Sequence, residues 1–395
     1  MLSYIYTTIR QANCYKYMQH IEFPTSYSEI LKRIDEIDPI EYARSRNYLN
    51  GSVTYLSPYI SRGVISTKKI LQSILEKGFT PAQSLKFIQE LAWREYFQRV
   101  WQHLEDDILD DIRRTRTGVN NRQISAALIN AATGIESIDK GINELYETGY
   151  MHNHLRMYVA SIACNVAKSY WDMPSRWMYY HLLDGDIASN TCSWQWVAGS
   201  FSSKQYFANQ ENINKYTGSK QINTYLDKAY DELAEQNIPE PLNKLISPVL
   251  STNLPEKNTP VLNEHLPTLL YTSYNLDPEW RTDMEANRIL LLEPSHFRQF
   301  PVSEKVLAFI IQLASNIKGI QLFVGELNEI PGLNNSKAIY SKEHPAFKHF
   351  PGIKDERDWL FPEIKGFYNS FFSYWKQCER SLSKMEKRVP ALLRA

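Results

Sequence analysis

Apolar residues recur at helical spacing through most of the first 235 residues. The pattern is clearest in Phe87–Leu104 and Ile138–Trp171, where apolar and aromatic residues stand three or four positions apart. Gly149 interrupts the second segment, so we expect two helices that meet there. Further turns are predicted near Gly51, Gly118 and Pro174. The first half of the chain is therefore predicted to be mainly α-helical.

The pattern changes after residue 235. Residues 236–268 contain six prolines, which is typical of an extended linker. Two apolar runs follow, Asn287–Pro294 and Ile320–Leu327, and they predict buried parallel strands with an amphipathic helix over 303–316 between them. Ala338–His344 is a candidate third strand, and Pro362–Leu382 is a candidate closing helix.

These patterns predict a fold that is mainly α with a small α/β (βαβ) part. The predicted organisation is an N-terminal tail (1–21), a helical domain (22–235), a proline-rich linker (236–270) and a small α/β domain (271–395).

Composition narrows the function classes. The chain has 43% hydrophobic, 22% charged and 13% aromatic residues, as expected of a globular protein with many aromatic rings. Its 44 basic and 44 acidic residues balance, so nucleic-acid binding would need a local patch. The four cysteines are scattered, which argues against an iron–sulfur cluster or a zinc site and favours a reducing compartment. No apolar run predicts a signal peptide or a membrane span, so we expect a cytoplasmic protein that does not bind membranes.

One segment combines residue types that suit a cofactor. Asp186, Asn190 and Trp194 are spaced i, i+4 and i+8, so they share one face of a predicted helix. A carboxylate, an amide and an indole on one face suit a flat aromatic cofactor with a polar edge. Arg156, if buried, needs an acidic partner, and Asp184 and Asp186 are the candidates.

Other polar groups allow more than one interpretation. Thr54 and Ser57 could bind phosphate oxygens or could simply cap helices. Glu90, on an aromatic helix face, could be a surface salt-bridge partner or a proton donor in a dry pocket. His152 and His154 stand two positions apart and cannot share a helical face, so we expect no metal site there.

Four ordered blocks carry a family resemblance. They are LSPYISRGVIS (Leu56–Ser66), ELAWREYF (Glu90–Phe97), TGYMHNHLRM (Thr148–Met157) and LLDGDIASNTCSWQW (Leu182–Trp196). With this spacing, residues 22–233 resemble the flavin-binding helical domain of the photolyase/cryptochrome family. Members of this family usually begin with an α/β domain, whereas the α/β segment follows the helical domain here.

The resemblance implies that FAD is the cofactor and that it contacts Thr54, Ser57, Arg156, Asp184, Asp186 and Asn190. Thr54 and Ser57 would hold the phosphates, and Asp186 would lie near the polar edge of the flavin. Arg156 and Asp184 would form an ion pair beside the isoalloxazine. Asn190 would face flavin N5, where an amide cannot protonate nitrogen as a carboxylic acid could.

The resemblance also implies an electron relay. Trp194 matches the tryptophan closest to the flavin, and Trp171 matches the middle one. The outer tryptophan is expected near Gly118–Gln123, where the chain has none. Trp177 or a tyrosine is the alternative.

The substrate side of the resemblance points to cyclobutane pyrimidine dimers. The residues that match the family's lesion pocket, and that we predict to be catalytic, are Glu90, Trp93, Asn153, Met157 and Trp196. Arg46 and Arg94 match the family's DNA-binding residues. Three positions depart from the pattern because His154, Tyr55 and Ala208 replace basic residues. Fewer phosphate contacts weaken duplex binding, so single-stranded DNA is an open alternative.

The sequence therefore predicts a light-dependent, FAD-containing photolyase-like lyase that transfers an electron to ultraviolet-damaged DNA. No antenna chromophore, metal or iron–sulfur cluster is predicted. A cryptochrome-like blue-light sensor without repair activity is the main alternative, and a light-independent flavin binder is the third. A protein partner could bind through the C-terminal α/β domain.

Overall fold

The structure, a computed structural model, describes residues 21–392 except residues 117 and 120, with side chains up to residue 384. The predicted tail up to residue 20 lies outside the described residues. No helix in the described part of the chain is long and apolar enough to span a membrane.

Twelve α-helices cover the described residues up to 235, as the sequence predicts. They are α1 (Tyr27–Asp35), α2 (Pro39–Ser45), α3 (Ser57–Ser61), α4 (Thr67–Glu76), α5 (Leu85–Leu104), α6 (Ala126–Ile129), α7 (Glu136–Thr148), α8 (Asn153–Ser161), α9 (Asp172–His181), α10 (Ile187–Ala198), α11 (Gln210–Thr217) and α12 (Tyr230–Glu235). A π-helical turn, Ile162–Val166, follows α8.

Local sequence explains where the helices around the candidate site begin and end. Gly149 ends α7 with a φ of +74°, which a glycine adopts without steric cost. The ring of His152 caps α8 by accepting a hydrogen bond from the backbone N–H of His154. The predicted break near Gly149 is confirmed.

Strands β1 (Ile124–Ser125) and β2 (Leu245–Ile246) form a separate pair. The C-terminal part contains a five-stranded, all-parallel sheet made of β3 (Thr268–Tyr271), β4 (Asn287–Leu292), β5 (Ile320–Val324), β6 (Ile339–Lys342) and β7 (Ile353–Asp355). Its strand order is β5-β4-β3-β6-β7. The helices here are α13 (Pro294–Gln299), α14 (Glu304–Ala314) and α15 (Phe371–Leu392). A mainly α fold with a small α/β part is confirmed.

Two boundaries differ from the prediction. Residues 268–270, assigned to the linker, belong to β3 at the centre of the sheet, where a four-residue run behind Pro267 carries little periodic signal. The last helix begins at Phe371 rather than at Pro362, since Gly366 adopts a φ of +87° between them.

The proline-rich segment does not separate two cores. Its β2 strand pairs with β1 of the helical part, and the Leu242 side chain is fully buried. One continuous hydrophobic cluster includes residues of α5 and of the central strands of the sheet. The hydroxyl groups of Tyr179 and Tyr274 meet across this contact at 2.6 Å. The α/β segment is therefore packed into the helical part.

Candidate functional site

An ion pair between α8 and the loop before α10 forms the centre of the candidate site. Arg156 Nη2 donates to Asp184 Oδ2 at 2.9 Å, and Arg156 Nε donates to the carbonyl oxygen of Met151 at 2.7 Å. Asp184 Oδ1 is buried and has no hydrogen-bond partner among the described residues. The predicted contact between Arg156 and Asp184 is confirmed. The free Oδ1 of Asp184 can accept one further hydrogen bond from a bound molecule.

Asp186, two residues later, is held from several sides. Its Oδ1 caps α10 by accepting from the backbone N–H of Ser189 at 2.7 Å. Gln98 Nε2 donates at 2.7 Å to Oδ2, and Arg94 Nη2 donates to the same oxygen at 3.2 Å. Arg94 was predicted to contact DNA; in this structure its face of α5 turns toward α10, and its guanidinium contacts Asp186 and Ser61.

A cavity of about 470 Å³ lies beside the predicted phosphate loop. Ser52, Thr54 and Arg33 contribute to its lining. Tyr55 has a φ of +52°, and Leu56 after it is right-handed helical. A left-handed residue followed by a right-handed one turns successive backbone N–H groups toward one point, which is a geometry that can bind anions. Backbone strain of this kind also concentrates at ligand sites.

The lining sets limits on where an anion can lie. Ser57 opens α3 directly after the strained residues. Glu22, Glu36 and Asp38 also line the cavity, so a phosphate group would lie toward Arg33 and the hydroxyl loop.

An aromatic cluster joins the cavity to the ion pair. The ring centroids of Tyr55 and Tyr150 lie 5.5 Å apart, and Phe23 packs on both rings. The Arg156 guanidinium carbon lies 5.4 Å from the Tyr150 ring centre. The polar groups present fit a flavin dinucleotide. Hydroxyls and a guanidinium would donate to the phosphates, and the Asp184 oxygen without a partner among the described residues would accept from a polar ring edge.

The predicted relay residues lie in the interior of the helical part. Trp194 and Trp171 are both buried in one apolar cluster. Trp171 Nε1 donates to Asp111 Oδ1 at 2.8 Å. Asn190 lies one turn after Asp186, and its Nδ2 donates to the Ser175 carbonyl at 3.0 Å, which fixes the amide.

Two residues of the predicted lesion pocket already have partners. Glu90 forms ion pairs with Arg46 at 3.3 Å and with Lys86 at 2.9 Å. In this structure Glu90 is therefore a salt-bridge partner, as one of the two interpretations expected, and the Arg46 guanidinium is paired with it. Trp93 stacks on Phe371 of α15 with ring centroids 3.6 Å apart and planes inclined by 10°.

The other predicted pocket residues are more accessible. Asn153 is exposed, Met157 is half-buried, and Trp196 is 39% exposed beside Tyr206. All three lie on α8 or α10, which pack against each other. All three side chains are thus at least partly accessible to solvent in this structure.

His154 has a structural role. Its Nδ1 forms a hydrogen bond with the Asn47 carbonyl, and its ring stacks on Tyr158 at 5.5 Å and against Tyr216 at 4.6 Å. Burial lowers its pKa, which favours the neutral ring. A neutral, packed imidazole does not replace an arginine on a DNA phosphate.

The comparison with protein families decides the identity of this helical part. Residues 87–243 match the family model described as the FAD-binding domain of DNA photolyase. They include the ion pair, Asp186, Asn190 and the two tryptophans predicted to form a relay. Residues 87–243 belong to the photolyase/cryptochrome family. The FAD-binding fold predicted from the four blocks is confirmed.

Related proteins match part of the chain. A deoxyribodipyrimidine photo-lyase of Streptomyces griseus is 30% identical over 165 residues, which is 40% of this chain and 35% of that protein. One of Synechococcus sp. is 26% identical over 239 residues, covering 57% of this chain and 48% of that protein. A cryptochrome structure from Synechocystis sp. aligns with a TM-score of 0.45 at 22% identity, covering 50% and 44% of the two chains. The chain therefore spans about a third to a half of these curated photolyases.

Two residues of the site were not predicted from the sequence. Gln98 lies one turn after Arg94 on α5, so the spacing could have placed it on the Asp186 face. Phe371 lies outside the family match, and its sequence contains no signal for a contact with Trp93.

Proposed function

We propose that this protein is a light-dependent flavoprotein of the photolyase type that donates an electron to cyclobutane pyrimidine dimers, with single-stranded DNA as the preferred form. The observation that supports FAD at this site is the Arg156–Asp184 pair, in which the buried Asp184 Oδ1 has no partner among the described residues, within a segment matched as FAD-binding. When bound, the flavin supplies light absorption and the transferable electron.

The chain's own residues orient and isolate that group. Arg156 holds Asp184 through one charge-assisted hydrogen bond, and Asp184 Oδ1 would accept a hydrogen bond from the bound flavin. Gln98 and Ser189 immobilise Asp186, so its charge stays at a set place and needs no reorganisation during electron transfer. Asn190, fixed by Ser175, presents an amide that cannot protonate the flavin.

The surface chemistry supports single-stranded DNA. Arg46 and Arg94, the two arginines expected on phosphates, form ion pairs with Glu90 and Asp186. Fewer free cations weaken the salt-dependent part of duplex affinity. Trp196, with 39% exposure, provides a stacking face for an unpaired base. A base in a single strand also reaches such a face without the cost of unpairing.

Repair is tested with the purified flavin-loaded protein, photoreduced with a thiol. Under blue light, ultraviolet-irradiated oligothymidine should regain its thymine absorbance, and the same lesion in a duplex should recover more slowly. Trp196→Ala should lower repair and leave the flavin spectrum unchanged, whereas Tyr230→Ala, an exposed aromatic residue on α12, serves as the control. Normal flavin reduction without recovery of thymine absorbance would contradict repair.

A second candidate function is blue-light sensing without repair. The observation that favours it is the occupation of the predicted pocket: Phe371 covers a face of Trp93, and Glu90 is held by Arg46 and Lys86. A sensor needs no free lesion pocket. Normal photoreduction, no repair, and a light-dependent change in proteolysis of α15 would together support sensing.

A further inference from the structure

The relay lacks its outer tryptophan, and the structure shows what lies in that place. Asn121 belongs to the segment in which the outer tryptophan is expected, and it pairs with Ser169 as an isolated parallel bridge. Its carbonyl oxygen accepts from the backbone N–H of Tyr170 at 2.9 Å. Tyr170 therefore lies against that segment, directly beside Trp171.

Tyr170 has the contacts that an outer electron donor needs. Its ring centroid lies 5.4 Å from that of Trp171, with the planes inclined by 36°. Its side chain is partly exposed, so an external reductant can reach it. Trp177, the other candidate, is 1% exposed, and its Nε1 donates to Tyr146, so it is shielded from solvent.

A proton acceptor lies next to both rings. Asp111 Oδ1 accepts from Trp171 Nε1 at 2.8 Å, and its Oδ2 accepts from the backbone N–H of Arg116 at 3.0 Å. Burial and the nearby Asp111 carboxylate raise the pKa of Tyr170 to about 12, although Arg122, with its guanidinium carbon 4.4 Å from the ring centre, acts in the opposite direction. A neutral phenol loses its proton when it is oxidised, so an adjacent carboxylate base makes the oxidation easier.

We propose that Tyr170 is the outer electron donor of the relay and that the Asp111 carboxylate receives its phenolic proton. This inference rests on the proposed flavin-dependent function. With flavin bound, Trp194 would supply an electron to it on illumination, and Trp171 would return one to Trp194. Tyr170 then gives one electron to the oxidised Trp171 and its proton to Asp111, leaving a neutral tyrosyl radical and a protonated carboxyl group. An external thiol returns the electron to Tyr170.

The test compares photoreduction of the flavin-loaded full chain and the radical that forms. Tyr170→Phe should slow thiol-dependent photoreduction about tenfold or more and leave flavin content unchanged. Tyr180→Phe, which changes a partly exposed tyrosine on α9, should match the unmodified protein. Electron paramagnetic resonance after illumination should show a tyrosyl radical in the unmodified protein and a tryptophan radical in Tyr170→Phe.

Asp111→Asn keeps an acceptor for Trp171 and removes the base. It should slow photoreduction and abolish the solvent deuterium isotope effect on tyrosyl formation, which a merely structural role would not change. A tyrosyl radical that persists in Tyr170→Phe, or unchanged photoreduction in that variant, overturns the inference. Chemically reduced Tyr170→Phe should repair DNA like the unmodified protein. A failure of the proposed repair function can therefore be distinguished from a failure of the proposed role of Tyr170. A chain that takes up no flavin overturns both proposals.

Discussion

At the scale of single residues, the Arg156–Asp184 pair makes the sharpest prediction. Asp184 is nearly buried, so Asp184→Asn leaves a half-buried guanidinium with one charged partner fewer. We expect a loss of about 2 kcal/mol of unfolding free energy, below the ~3–5 kcal/mol for fully buried pairs, together with weaker flavin retention. Urea unfolding and flavin absorbance measure the two effects.

Asp172→Asn is the matched control. Asp172 pairs with Arg122 and Arg176, which are both largely exposed, so its loss should cost less than about 1 kcal/mol. Equal losses in the two variants would contradict a special role for Asp184.

The residue-level predictions differ in quality for a physical reason. The pairing of Arg156 with Asp184 was predictable from the family resemblance, because the residues alone left both Asp184 and Asp186 as candidate partners. The partner of Arg94 was not, because the helical period of α5 shows which residues share a face but not which neighbour that face contacts. Arg94 binds Asp186, which is 92 positions away in the chain.

At the scale of elements, α15 controls the surface around Trp93. Phe371 is 3% exposed and stacks on Trp93, so Phe371→Ala should cost about 3 kcal/mol of unfolding free energy. It should also free a face of Trp93 and increase affinity for ultraviolet-damaged oligothymidine. Phe372→Ala, at a 70% exposed position, should change stability by less than about 0.5 kcal/mol. Thermal unfolding measures the stability of the two variants, and fluorescence titration measures their affinity for the damaged oligonucleotide. Equal affinity in both variants would show that α15 does not control access of the substrate to Trp93.

The helices were more predictable than the sheet. A long element such as α5 repeats its apolar pattern over several turns, whereas β3 has four residues that are buried on both faces. Its place at the centre of the sheet depends on pairing with β4 and β6, which are distant in the chain. Such pairing leaves no local pattern to detect.

At the scale of the whole molecule, the helical and α/β parts share buried polar contacts. Glu95 of α5 is 4% exposed, and its carboxylate accepts from the Phe361 backbone N–H at 3.1 Å and the Tyr374 hydroxyl at 2.6 Å. Both donors belong to the C-terminal part. The domain boundary expected from composition was misleading, because prolines indicate an extended backbone but not which residues that backbone packs against.

A fragment that contains residues 22–235 should therefore fail to fold. Removing the sheet and α15 would expose one side of the common core and leave Glu95 with fewer partners. We expect aggregation and no cooperative thermal transition by circular dichroism. Co-expression of residues 236–395 should restore solubility. A soluble, cooperatively unfolding fragment would show that the helical part is an independent domain after all.

A buried histidine of the α/β part should make the protein sensitive to acid. Burial, with smaller contributions from Arg62 and His349, lowers the pKa of His296 to about 3 from its ordinary value of 6.5. The unfolded chain binds a proton here below about pH 6.5 while the folded chain does not, so unfolding free energy should fall from pH 6.5 toward pH 3 by up to about 1.4 kcal/mol per pH unit. His296→Phe, in an aromatic setting with Phe347, should unfold in urea with a shallower pH dependence. His265→Phe, at an exposed position, should keep the original dependence, and identical pH profiles for all three proteins would show that His296 does not carry the effect.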